Sequence, residues 1–166
     1  MRGNGHVDGD AMIEAAVGQS GQPDRASRIA RSVRRLLAAA GYSTIEEMRL
    51  PDGRRVDVIA LSSDGSIHVV EIKSSLADFR ADRKWRHYLD YCDRLFFALD
   101  PDMPAHVIPD DVGLIVADEY GAQLIRSGVE RRLSAMRRKA LTLKFAKAAA
   151  DRLHRLHDPM WRGEQG

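Results

Sequence analysis

The chain has 166 residues, enough for one compact domain with its own core, and its single cysteine, Cys92, excludes an internal disulfide. No run combines a basic start with an apolar stretch long enough for a signal peptide or membrane span, so a reducing, cytoplasmic setting without a membrane partner is expected. Net charge is only +2, yet residues 126–157 hold ten Lys or Arg against two acids, a local +8 that leaves −6 elsewhere and points to a polyanion partner.

Residues 1–22, polar except for a short apolar patch from Ala11 to Val17, are expected to form a flexible arm before a single domain over 23–160 and a tail over 161–166. Pro23 and Asp24 open a helix in which Ile29, Val33, Leu36, Leu37 and Ala40 recur at helical spacing until Gly41 stops it. Its opposite face carries Arg28, Arg31 and Arg35. Strand-like runs follow at Ser43–Leu50, Arg54–Leu61 and Ile67–Lys73, joined by Pro51-Asp52-Gly53 and Ser62-Ser63-Asp64-Gly65-Ser66. Ser75-Leu76-Ala77-Asp78 has the form of a capping box, predicting a helix from Leu76 to about Cys92. Arg94–Leu99 reads as a buried strand, and the long helical connection before it lets the third and fourth strands run parallel in a mixed sheet. A second hairpin is expected from Val112–Ala117 and Ala122–Ile125, then a long basic helix over about Glu130–Leu156.

The second and third strands hold polar residues where apolar ones would pack better. Alternation puts Val56, Val58 and Ala60 on one face of the second strand and Asp57, Ile59 and Leu61 on the other; Val69, Glu71 and Lys73 share a face of the third. Asp57 opposes Glu71 if paired positions sum to 128, which requires an odd loop, and that register is the expected one. The carboxylate-bearing carbons then lie roughly 5 Å apart, suited to one hard divalent cation. Without a cation, two adjacent buried carboxylates drive one of them to protonate. Lys73 adds a charge beside a metal-bound water, and the Ile72 carbonyl adds a ligand. This is equipment for hydrolysing a phosphodiester with Mg²⁺ or Mn²⁺. A structural salt bridge on a half-exposed sheet is the competing reading.

Asp57 with Glu71-Ile72-Lys73 resembles the PD-(D/E)XK nuclease superfamily, whose restriction-endonuclease-like fold is built on an α-β-β-β-α-β core. More narrowly, "GRRVDVIAL", "VVEIKSSLADFRADRKW", "YCDRLFFAL", "DVGLIVAD" and "RRKALTLKFAKAAADRLHRLHD" look like the MmcB-like family of bacterial DNA repair proteins over about residues 24–160. The resemblance implies a metal-dependent deoxyribonuclease active on damaged or branched DNA in a nucleoid-associated repair setting, alongside other repair proteins. Val56 replaces the proline of the superfamily name, and the helix over 24–40 lacks the glutamate that many members carry. Glu47 is a substitute ligand: if the loop from Pro51 to Gly53 is odd, paired positions sum to 104 and Glu47 opposes Asp57. The missing helix glutamate also supports the alternative, a catalytically inactive protein that binds DNA or a repair partner.

For DNA contact, Ser74, Ser75, Arg80 and Lys84 follow the motif, and Arg80, Lys84, His87 and Tyr91 form one stripe on the expected helix. Arg137 and Arg138, with Lys139, extend the basic surface. Trp85 and Cys92 are assigned to packing, and His154 with His157 lacks the ligands of a zinc site. Leu141, Phe145, Ala148, Ala149 and Leu156 are expected to form the apolar face of the last helix. Oligomeric state is not legible.

Overall fold

The computed structural model describes residues 24–160, so the expected arm over 1–22 and tail over 161–166 lie outside the described residues. Helix α1 (Arg25–Ala39) is capped by Asp24, whose carboxylate accepts the Ser27 N–H at 2.7 Å. Strands β1 (Ser43–Arg49), β2 (Arg55–Leu61) and β3 (Ile67–Lys73) follow, then the short helix α2 (Leu76–Ala81) and a 3₁₀ segment, Trp85–Tyr91. After β4 (Arg94–Leu99), β5 (Gly113–Ala117) and β6 (Ala122–Arg126), helix α3 (Ala135–His157) ends the described chain.

The six strands form one mixed sheet in sequence order, with β1, β2 and β3 antiparallel, β3, β4 and β5 parallel, and β6 antiparallel to β5. This is the α-β-β-β-α-β order expected from the sequence, extended by the second hairpin. Ile29, Val33 and Leu37 of α1 pack on one face, against Val58, Ala60, Val70, Ile72 and Phe96. Trp85, Tyr88 and Cys92, with Leu141 and Phe145 of α3, cover the other. Both hairpin loops before β3 are odd. Leu50 and Arg54 close the first, and Ser62 and Ser66 the second, where Gly65 takes the left-handed φ of 82° that a side chain would resist. No helix among the described residues is long and apolar enough to cross a membrane.

Three sequence expectations fail here. The helix predicted from Leu76 to Cys92 breaks at Asp82, whose backbone turns extended while its carboxylate takes the Lys84 N–H and the Lys73 ammonium, both at 2.8 Å. Those bonds outcompete the helical ladder. Arg80, Lys84, His87 and Tyr91 therefore do not share one helical stripe. The last helix begins at Ala135 rather than Glu130, because the backbone before it is held elsewhere: Val129 N–H on the Asp111 carbonyl, Arg131 N–H on the Asp93 carbonyl and Leu133 N–H on the Asp93 carboxylate. Its apolar face is also shorter than expected, since Leu141 and Phe145 are buried while Leu156 is 80% exposed.

Asp93 ties these segments together. Buried between β3 and α3, it accepts from the N–H groups of Ile67 (2.8 Å) and Leu133 (2.9 Å) and from two guanidinium nitrogens of Arg138 (2.7 and 2.8 Å). Burial opposes its charge, but the Arg138 and backbone bonds outweigh it and hold the carboxyl below its usual range. Asp93→Ala orphans a half-buried guanidinium and two N–H groups, so urea denaturation is expected to show a loss of about 3–5 kcal/mol.

Candidate active site

β2 and β3 stay paired, in positions that sum to 128, from Leu61↔Ile67 to Val58↔Val70 and then part. At the fork the side chains replace the ladder. The Asp57 carboxylate accepts the Ile72 N–H at 2.7 Å, and the Glu71 carboxylate accepts the Asp57 N–H at 3.2 Å. The predicted odd register thus brings Asp57 and Glu71 together. Among the described residues, the second oxygen of each carboxylate accepts no hydrogen bond.

The β1–β2 pairs sum to 104 as expected, but Glu47 drops out of the ladder between Glu46↔Val58 and Met48↔Val56. Its φ is +49°, a left-handed conformation that costs a non-glycine residue about 1–3 kcal/mol and collects at functional sites. Ile45 and Met48, three apart, lie in the same core cluster, and so do Val56 and Ile59. Strict alternation would separate each pair, so both strands turn over at Glu47 and Asp57. Val56 accordingly does not share the face of Val58 and Ala60. Glu47 pairs with Arg55 at 3.2 Å, so its carboxylate is not joined to Asp57 and Glu71.

A cleft of about 630 Å³ opens over the fork, walled by Ser27, Arg31 and Arg34 of α1, Glu46 and Glu47 of β1, and Asp57, Glu71, Ile72 and Lys73. Burial, reinforced by the Asp57 charge, pushes Glu71 from 4.5 up to about 8. Burial also raises Asp57, against the Ile72 N–H and the more distant Lys73. The Lys73 ammonium is buried, which disfavours its charge, but the Asp82 carboxylate at 2.8 Å more than compensates and keeps it protonated. Asp78 lies at 4.0 Å. Lys73 is thus oriented by Asp82, a residue that sequence reasoning placed inside a continuous helix and so missed. Tyr88 also lines the cleft and donates its hydroxyl to the Arg55 carbonyl at 3.2 Å.

A match to the MmcB-like DNA repair protein family runs over residues 13–160. The chain belongs to that family. A solved structure of a protein of unknown function from Silicibacter pomeroyi is 45% identical, with a TM-score of 0.81, and the likeness covers 89% of this chain and all of that one. A repair endonuclease from Pyrococcus abyssi is 20% identical over 49% of this chain and 39% of its own, with a TM-score of 0.32, too distant to argue from. None of the curated proteins matches significantly.

In this family member the residues expected to touch DNA divide by environment. Ser75 is the N-cap of α2, its hydroxyl accepting the Asp78 N–H at 3.1 Å, and Ser74 precedes it half-buried. Arg80 and Lys84 are exposed, with no side-chain partner among the described residues. Arg138 is instead committed to Asp93 and the Gly65 carbonyl, and Arg137 to Asp90 at 3.3 Å. Much of the basic C-terminal charge is likewise spent inside the fold: Arg126 on three backbone carbonyls, Arg131 on Asp111 and Arg152 on the Glu46 carbonyl. Trp85 packs edge-on against Phe97 with ring centroids 5.5 Å apart, and Cys92 is buried, as expected.

Among the described residues no three His, Cys, Asp or Glu side chains assemble into a metal cage. The donors at the fork nonetheless suit a hard ion that keeps most of its waters: two carboxylates, each with a free oxygen, both raised by burial, and Glu71 further by the Asp57 charge. A strand residue's N–H and C=O face the same neighbour, so the Ile72 carbonyl lies on the Asp57 side.

Proposed function

We propose that this protein hydrolyses DNA phosphodiester bonds in repair, using Mg²⁺ or Mn²⁺ held by Asp57, Glu71 and the Ile72 carbonyl. The observation that carries the reading is the fork, where the buried Glu71 carboxylate and the half-buried Asp57 carboxylate replace the strand ladder and burial penalises the charge of both. A fold without a use for them gains stability by replacing them with apolar residues. When bound, the ion supplies charge neutralisation for the phosphoryl oxygens and a more acidic water. Asp57 and Glu71 hold it through their free oxygens. Lys73, kept protonated by Asp82, orients water at the cleft or stabilises the negative charge that develops on the phosphate. Glu47 joins the ligand set only if it leaves Arg55.

A catalytically silent DNA-binding or repair-partner-binding protein is the second reading. It is favoured by the ion pairs that occupy Lys73 and Glu47 and by the absence of a third assembled acid among the described residues. A cleavage panel separates the two: single-stranded, duplex, flap, mismatched and crosslinked DNA with Mg²⁺ or Mn²⁺, run beside Lys73→Ala. The hydrolase reading expects metal-dependent cleavage of at least one form, lost in Lys73→Ala. Binding without cleavage of any form by the wild type supports the silent protein.

A further inference from the structure

We propose that Arg31 is the phosphate grip of the cleft, taking the non-bridging oxygens of a nucleic-acid phosphodiester and holding the backbone against Asp57 and Glu71. The identity of the ligand rests on the reading above; the site itself rests on how charge is distributed. Helix α1 carries five arginines, and four are occupied. Arg25 bonds Asp100 and Asp102, Arg28 pairs with Glu119 at 3.5 Å, Arg34 with Glu46 at 3.0 Å, and Arg35 bonds Ser32 and the Glu119 carbonyl. Arg31 alone has no partner among the described residues, and it lines the cleft.

The other cations in that cleft are neutralised locally, Arg34 by Glu46, Arg55 by Glu47 and Lys73 by Asp82. Asp57 and Glu71, conversely, have no cation within ion-pair distance among the described residues. One cleft therefore holds an unpaired guanidinium and two unpaired carboxylates that do not neutralise each other. A phosphodiester satisfies the guanidinium, its anionic oxygens meeting the planar fork of Arg31, and its phosphorus then faces the acids, whose own charge a bound divalent cation would offset. The grip has a rigid base, because Ile29, Ala30, Ser32 and Val33 around Arg31 are buried against the sheet.

The test is binding rather than turnover. Affinity for fluorescein-labelled single-stranded and duplex oligonucleotides is measured in EDTA across about 50–200 mM salt, for wild type, Arg31→Ala, Arg31→Lys and the control Arg28→Ala. Arg31→Ala is expected to weaken binding about ten-fold regardless of base sequence and to lower the slope of log affinity against log salt by about one. Arg31→Lys keeps the slope, and Arg28→Ala behaves as wild type. An Arg31→Ala affinity and slope equal to wild type overturn the proposal, as does a wild type that binds no DNA. If Arg31→Ala loses binding as expected while wild type cleaves no DNA with Mg²⁺ or Mn²⁺, the grip stands and the hydrolase reading falls.

Discussion

In EDTA the wild-type protein is expected to lose stability as pH rises from about 6.5 to 8, and Glu71→Gln is expected to abolish most of that slope. Glu71 ionises near its ordinary 4.5 in the unfolded chain, but at about 8 in the fold, because burial and the Asp57 charge disfavour its carboxylate. Below the lower value both states carry the proton and the contribution is fully present. Between the two values the folded state keeps a proton that the unfolded chain has released, so each pH unit removes about 1.4 kcal/mol, a total on the order of 5 kcal/mol. Above about 8 the contribution is gone.

His68 opposes this in the lower part of the range. Burial holds its folded-state value below 6.5, so it adds stability as pH approaches 6.5. The interval from 6.5 to 8 isolates Glu71. Gln can keep the bond to the Asp57 N–H without the charge, so melting at pH 8 should rise by roughly 10–20 °C over wild type. Added Mg²⁺ should raise wild-type melting more at pH 8 than at pH 6.5, and should do little for Glu71→Gln. A flat wild-type profile from pH 6.5 to 8 in EDTA would show that Glu71 is not held protonated by burial and the Asp57 charge.

Asp57→Asn is expected to lower Mg²⁺-dependent DNA cleavage by about 10²–10³-fold, with DNA affinity in EDTA unchanged or slightly tighter. The amide oxygen can still accept the Ile72 N–H that Asp57 now holds at 2.7 Å, so the fork keeps its shape. What it loses is one of two anionic ligands and one negative charge facing a polyanion. Burial raises Asp57, so neutralising it relieves the fold, and the melting temperature at pH 8 should not fall. Initial rates on the most readily cleaved DNA form, beside circular dichroism melting, read both effects. Retention of cleavage within ten-fold of wild type would exclude Asp57 as a ligand and sink the hydrolase reading.

Much of the site was legible because strand geometry is local arithmetic. A period of two and an odd loop around Gly65 are enough to set Asp57 beside Glu71, and the pairs from Leu61↔Ile67 to Val58↔Val70 follow that register. The parallel run of β3 and β4 was likewise implied by the long connection between them. The fate of the basic residues was not legible. A helix-by-helix count of charge cannot distinguish Arg138, locked on Asp93, from Arg31, unpaired among the described residues on the cleft wall.

The break at Asp82 was hidden for a related reason: a capping box and good helix formers predict continuation, and the Lys73 ammonium, nine residues back, joins the local Lys84 N–H in making departure from the helix favourable. The turnover of β1 and β2 at Glu47 and Asp57 was hidden too, since alternation assumes that both strands stay flat. By itself the sequence determined the element order, the strand register and the two acids that meet at the fork, all consequences of backbone periodicity and turn chemistry. Tertiary structure decided which charges remain unpaired, because the partners of a charge lie up to 106 positions away in the chain and a few ångströms separate a partner from a neighbour.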